Sequence, residues 1–163
     1  YHHNLEVARS FFPRLCSTHT YDERVATVRA AKRAGVETCV GGIFGVGESP
    51  AERADLLFEI RELDPDSVPL NFLVPIAGTP VGHRPPVSLF EAVKIIALAR
   101  FILPAKDIKV GGGRLEVFGG DQALVFLAGA NSFITGDLLT VKGRRPEDDL
   151  KLIANLGLKP VSG

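Results

Sequence analysis

Three times along this chain a Ser or Thr is followed three residues later by Glu: Thr20-Tyr21-Asp22-Glu23, Ser49-Pro50-Ala51-Glu52 and Ser88-Leu89-Phe90-Glu91. Each is a capping-box signature, in which the hydroxyl accepts a hydrogen bond from the N3 amide and the glutamate reaches back to the N-cap amide. Three helix starts are therefore written into the sequence. Gly35 stops the first helix after about Ala34. Pro50 occupies the first helical position of the second, where its missing N–H costs nothing. Leu56, Leu57, Ile60 and Leu63 give that helix one apolar face. The third ends before Pro104. Two more helices are predicted, from Asp121 to Leu127 and after Pro146-Glu147-Asp148-Asp149 as far as Gly157. The acids of the last one suit a helix N-terminus.

Short apolar runs separate these helices: Val36–Ile43, Ser67–Val74, Ile108–Val110 and Ser132–Thr135. They show little polar/apolar alternation, as in strands covered on both faces. Strand and helix alternate every 25 to 40 residues, roughly, which predicts an α/β fold with a parallel sheet. Pro75–Pro86 reads as a long loop inside one βα unit. With 163 residues, 45% apolar and 23% charged, the chain amounts to one globular domain. Its net charge of zero gives no electrostatic footprint for nucleic acid or an anionic membrane. No run approaches the roughly 18 apolar residues of a membrane span and no signal-peptide pattern opens the chain, so cytoplasm is the expected location. Two cysteines make no disulfide framework. The lack of Met and a Tyr at position 1 lead us to expect a piece of a longer or processed polypeptide.

Ligands of parallel α/β folds bind at the carboxyl ends of the strands. Asn4, Glu6, the Gly41–Glu48 turn, Asn71, Arg114 and Asn131 fall at those ends. Cys39 and Asn71 lie within strands, from which a side chain can point into a barrel interior. A buried strand cysteine is ordinarily a small packing residue, and no neighbouring residues complete a catalytic set around Cys39. The turn Gly41-Gly42-Ile43-Phe44-Gly45-Val46-Gly47-Glu48 lacks the Gly-Lys-Ser/Thr ending of a phosphate loop and the continuation of a dinucleotide fingerprint. Its glycines either make a tight turn or let the flat face of a ligand approach the backbone. Gly111-Gly112-Gly113-Arg114 is either a flexible turn with a solvated Arg or a platform aiming a permanently charged guanidinium inward. Asn4 and Asn71 either clamp an amide or urea-like group or tie loops together. His2, His3, His19 and His83 have no metal spacing, and no Gly-x-Ser-x-Gly elbow is present. Cys16 and His19 form at most an isolated Cys–His couple.

The order of these motifs resembles the C-terminal half of the biotin synthases, a family of radical S-adenosylmethionine enzymes. The resemblance runs from Tyr1 to about Pro160. It is carried by Tyr1-His2-His3-Asn4-Leu5-Glu6, Thr18–Arg24, Cys39–Glu48, Ser67–Leu73, Gly78-Thr79-Pro80, Gly113-Arg114 and Ala128–Ser132. It implies that residues 1–163 are the C-terminal part of a (βα)8 TIM-type barrel, with the N-terminal half absent. It implies a [4Fe–4S] cluster held by a Cys-x3-Cys-x2-Cys motif in that other half, and a [2Fe–2S] cluster deep in the barrel. For the [2Fe–2S] cluster it names Cys39 and Arg114 as ligands; thiolates are ordinary ligands of such clusters. It assigns Asn4, Glu6, Arg24, Gly45, Gly47 and Glu48 to S-adenosylmethionine, and Asn4, Asn71 and Thr140 to dethiobiotin. The implied reaction is radical-mediated insertion of sulfur into dethiobiotin to give biotin. Flavodoxin or ferredoxin would donate electrons, and the whole protein would be a homodimer. The chain departs from the family in lacking the three-cysteine motif and the other two [2Fe–2S] cysteines. His2 stands where the family often has Asn, and Val141 where it often has a second Thr. These departures leave two alternatives, a non-catalytic or split-subunit module and a radical enzyme with another substrate. They also imply that the isolated chain is inactive and poorly stable or self-associating.

Overall fold

The computed structural model describes residues 1–138 and 142–161. Helices and strands alternate in the order α1 (Phe12–Leu15), α2 (Tyr21–Arg33), β1 (Gly42–Phe44), α3 (Pro50–Leu63), β2 (Ser67–Phe72), α4 (Leu89–Ile102), β3 (Asp107–Val110), α5 (Arg114–Phe118), α6 (Ala123–Leu127), β4 (Ser132–Phe133) and α7 (Pro146–Asn155). The four strands form one sheet in sequence order, each parallel to the next. An extended N-terminal segment continues it beyond β1 through the parallel bridges His2↔Cys39 and Glu6↔Gly42. Sequential parallel strands backed by helices make an open segment of a (βα)8-type barrel.

The capping boxes at Thr20 and Ser49 form with both of their hydrogen bonds. The one at Ser88 forms by half. Ser88 accepts from the Glu91 amide, but the Glu91 carboxylate is drawn instead to Arg53 and Lys94. Gly35 follows α2 at φ +74°, a left-handed conformation open to glycine without strain. Two short helices, α1 and α5, lie where the sequence pattern predicted none. The strand expected over Val36–Ile43 starts later: Val36 is exposed, Cys39 makes only isolated bridges, to His2 and Ser67, and the regular ladder begins at Gly42. The physical reason lies in the first segment. Its bridges advance by four residues against three on the partner, a β-bulge. The side-chain oxygen of Asn4 takes the Gly41 N–H at 3.0 Å in place of a backbone partner.

Side chains alternate across a strand, and this sheet sorts them sharply. Val40, Phe44, Val68, Leu70, Phe72, Ile108 and Val110 are at most 2% exposed and face the helices. There Phe44, Phe72 and Phe118 pack ring against ring at centroid distances of 6.3 and 5.9 Å. Residues at the alternate positions, Cys39, Ile43, Ser67, Asn71, Lys109 and Ser132, are only half-buried. The outer face is closed by helices and the inner face stays accessible.

Candidate functional site

The register fixes which residues share the inner face. Cys39 pairs with Ser67, and Ser67 with Asp107; Pro69 pairs with Lys109, and Lys109 with Ser132; Ile43 pairs with Asn71. Directly paired residues of parallel strands point to the same side. Cys39 therefore opens onto the inner face, with Lys109 the cation that shares it. Thr38, one residue earlier, is buried on the other side.

Arg24 organises the first of two clusters at the carboxyl ends of the strands. Its Nε donates to the Asn4 carbonyl at 2.7 Å, Nη2 to Glu6 Oε1 at 3.3 Å, and Nη1 lies 2.8 Å from His19 Nε2. The bulge brings this about: Glu6 adopts φ +70°, which turns its carboxylate toward α2. Burial pushes the Glu6 carboxyl above its ordinary range, and the Arg24 charge opposes that rise. His3 lies beside the cluster with its Nε2 buried and without a partner. Burial, then the Arg24 charge, holds its imidazole below the ordinary value and favours the neutral form. The structure thus brings Arg24 to Asn4 and Glu6, which precede it by 20 and 18 residues. His19 also meets Cys16, whose Sγ is 3.4 Å from both Thr18 Oγ1 and His19 Nδ1.

Glu48 organises the second cluster. Its two carboxylate oxygens accept from the Gly45 and Gly47 amides at 2.8 and 3.1 Å, and Arg53 Nε donates to it at 2.8 Å. Both glycines have positive φ, +97° and +112°. Glu48 is thus buried beneath the turn it shapes. The two amides are committed to it, which removes them as donors to a phosphate, in keeping with the missing phosphate-loop ending.

Asn71 spans two strands. Its Nδ2 donates to the Gly42 carbonyl at 3.2 Å, and its Oδ1 accepts from the Gly112 amide at 2.9 Å. A Cβ at Gly111 would stand 2.6 Å from that oxygen, so the glycine run lets the backbone approach Asn71. Asn4 likewise has its Oδ1 in use. Each Asn ties backbone together while standing at the mouth.

Arg114 has a partner within this chain. Its guanidinium makes a two-pronged pair with Asp149 of α7, at 3.1 and 2.5 Å, and lies 4.1 Å from the centre of the Phe133 ring. Phe133 pairs with Val110, a helix-facing position, and packs on Phe126 of α6. Arg114 is therefore buried on the outer side of the sheet, away from the face that Cys39 occupies. The cause is local: Gly113 at φ +76° starts α5, and the helix carries Arg114 behind β4. Lys109, not singled out from the sequence, is placed on the inner face by the alternation of β3, in which Ile108 and Val110 face the helices. Thr140 lies outside the described residues, as does Val141.

Among the described residues no three His, Cys, Asp or Glu side chains come together as a metal site, and no helix is long and apolar enough to cross a membrane. Cys39 can supply a single thiolate to a metal group, and Cys16, half-buried at the end of α1, meets His19 instead.

Comparison with known proteins agrees with this architecture. The chain is 54% identical over 98% of its length to a biotin synthase of Nitratidesulfovibrio vulgaris, covering 44% of that protein. It is 51% identical over 97% of its length to a biotin synthase of Syntrophotalea carbinolica, covering 48%. For a biotin synthase of Geobacter sulfurreducens the figures are 52%, 97% and 48%. The chain thus spans about half the length of the curated relatives it matches. Among solved structures, methylornithine synthase superposes with a TM-score of 0.80 at 24% identity, over 98% of this chain and 51% of that one. A hydroxymethylglutaryl-CoA lyase of Pseudomonas aeruginosa gives 0.66 at 15% identity, over 97% and 55%. Both likenesses concern the fold. Residues 69–159, more than half of the chain, match the model of the Biotin and Thiamin Synthesis associated domain, and the chain belongs to that family.

Proposed function

We propose that this chain is the C-terminal half of a biotin synthase and that the whole protein converts dethiobiotin to biotin by radical-mediated sulfur insertion. The observation that carries the reading is the identity of 51–54% to proteins of that name, spread along 97–98% of the chain. The geometry supports it with one thiol on the inner face of a barrel segment and two polar clusters at the carboxyl ends of its strands.

The fit of the implied groups is uneven. One thiolate, from Cys39, suits a [2Fe–2S] cluster, but the chain has only two cysteines and the remaining thiolates have to come from outside it. Arg114, engaged with Asp149, is assigned to the scaffold; Lys109 is the basic side chain that such a cluster would face. The [4Fe–4S] cluster finds no ligands in this chain. S-adenosylmethionine suits the first cluster, where Glu6 and the neutral His3 offer hydrogen-bonding groups and Arg24 holds both Asn4 and Glu6 in position. When bound, these groups supply the radical and the sulfur atom. The chain's own residues contribute orientation. Arg24 fixes the bulge, Glu48 fixes the glycine turn, and Asn71 keeps the mouth open by spacing Gly42 from Gly112. Gly45, Gly47 and Glu48 shape the wall against which the cofactor lies, and Asn4, Asn71 and Thr140 are the proposed contacts to dethiobiotin. We assign the protein to the cytoplasm, as a homodimer served by flavodoxin or ferredoxin.

The test is an anaerobic assay of the full-length polypeptide carrying this chain, with iron and sulfide restored, S-adenosylmethionine and a reductant. Biotin measured by mass spectrometry, formed only when dethiobiotin is present, is the expected result. Cleavage of S-adenosylmethionine that ignores dethiobiotin would overturn the assignment.

A further inference from the structure

The loop between β2 and α4 carries an arginine with no partner suited to its charge. Arg84 sits in the Pro75–Pro86 stretch, just before Pro85 and Pro86, and is exposed. Its guanidinium lies flat on the glycine turn after β1. A Cβ built on Gly47 would stand 2.5 Å from Arg84 Cζ and Nη2 and 2.7 Å from Nη1. A side chain at Gly47 would displace the guanidinium from that position. The φ of +112° favours glycine at position 47, and the absence of a side chain there lets the guanidinium rest on the turn.

The surrounding charges are already matched. Glu48 is paired with Arg53, and Glu91 with Arg53 and Lys94. Among the described residues the Arg84 guanidinium has no carboxylate within ion-pair distance and donates no hydrogen bond. A rigid fork of five donors is thus held at the mouth of the sheet, beside a turn whose own amides are spent on Glu48.

We propose that Arg84 is a carboxylate-binding residue of the barrel mouth, closing over the Gly45–Gly47 turn onto the carboxylate of a ligand bound there. This rests on the reading given under Proposed function, which supplies two carboxylate-bearing ligands, S-adenosylmethionine and dethiobiotin. The shared chemistry is a planar carboxylate meeting a planar guanidinium in a two-pronged pair. Lys offers a point charge without that fork, so it replaces Arg only in part.

The experiment compares full-length wild type with Arg84→Gln and Arg84→Lys by equilibrium dialysis of each ligand separately, at two salt concentrations. Arg84 is exposed and its side chain supports no buried contact, so both variants keep the fold, which circular dichroism checks. Arg84→Gln is expected to weaken binding of one ligand by about tenfold and to flatten the salt dependence of its binding. Arg84→Lys is expected to lie between Gln and wild type. The ligand that weakens identifies the carboxylate. Unchanged binding of both ligands by Arg84→Gln, with wild type binding both, overturns the role of Arg84 and leaves the function standing. Wild type that binds neither ligand overturns the functional reading and this inference with it.

Discussion

Cys39 and Arg114 are separated by which side of the sheet each occupies, and that difference has measurable consequences. Cys39 lies on the accessible inner face, so Cys39→Ala removes a thiolate without disturbing the helix-packed core. In the full-length protein the expected outcome is loss of the [2Fe–2S] absorption and of biotin formation, with the [4Fe–4S] signal and the thermal transition retained. Retained biotin formation would remove Cys39 from the mechanism. Arg114 and Asp149 are side chains 5% and 2% exposed. Breaking such a buried pair strands a charge and typically costs 3–5 kcal/mol, roughly. Asp149→Ala is therefore expected to lower urea stability by about that amount while leaving the visible spectrum of the folded protein unchanged. An altered cluster spectrum with unchanged stability would return Arg114 to the metal site. The residue types alone could not separate these cases, because a Cys and an Arg near strand ends look equally available in one dimension.

Among the elements, the capped helices hold the strands in place and set the acid sensitivity of the fold. The Thr20 amide holds the Glu23 carboxyl below its ordinary value, and the Ser49 amide does the same for Glu52. A carboxyl with a lower pKa in the folded state stabilises the fold at pH values above its unfolded pKa, and that contribution is lost as pH falls through the lower folded value. Glu6 has the opposite sign: its raised carboxyl favours the folded state as pH falls. Chemical denaturation from pH 7 to pH 3, on the order of the carboxylate range, is expected to show stability falling at the acid end. The fall should be smaller in Glu23→Gln and Glu52→Gln. Ser49→Ala, which leaves the Glu52 amide without its acceptor, is expected to cost about 1 kcal/mol. An identical acid slope in wild type and both Gln variants would remove the caps as its cause.

For the whole molecule, the inner face and the sheet edges dominate. The half-buried inner row and the two outermost strands present unpaired backbone groups and partly apolar surface, a template for further strand pairing. The isolated chain is expected to self-associate, and light scattering during a thermal melt checks it. A sharp, concentration-independent two-state melt of a monomer would refute the expectation. The same openness places Cys39, Asn71 and Lys109 where a bound ligand could reach them.

Local signals carried the sequence a long way. The hydroxyl-to-glutamate spacing at Thr20 and Ser49, Gly35 at its left-handed turn, and the apolar runs at β2 and β3 all act within a few residues, so the chain alone determined the longer helices, the parallel α/β class and the strand-end positions of Asn4, Glu6, Asn71 and Glu48, whereas Arg24 was singled out only by the family resemblance. Tertiary structure decided what depends on strand register and on partners distant in sequence. The bulge at Asn4–Glu6 delays β1. Glu91 leaves its cap for Arg53. Arg114 finds Asp149, and Arg84 finds Gly47. A single residue of register reverses the face of every side chain in a strand, and only assembled strands fix that register.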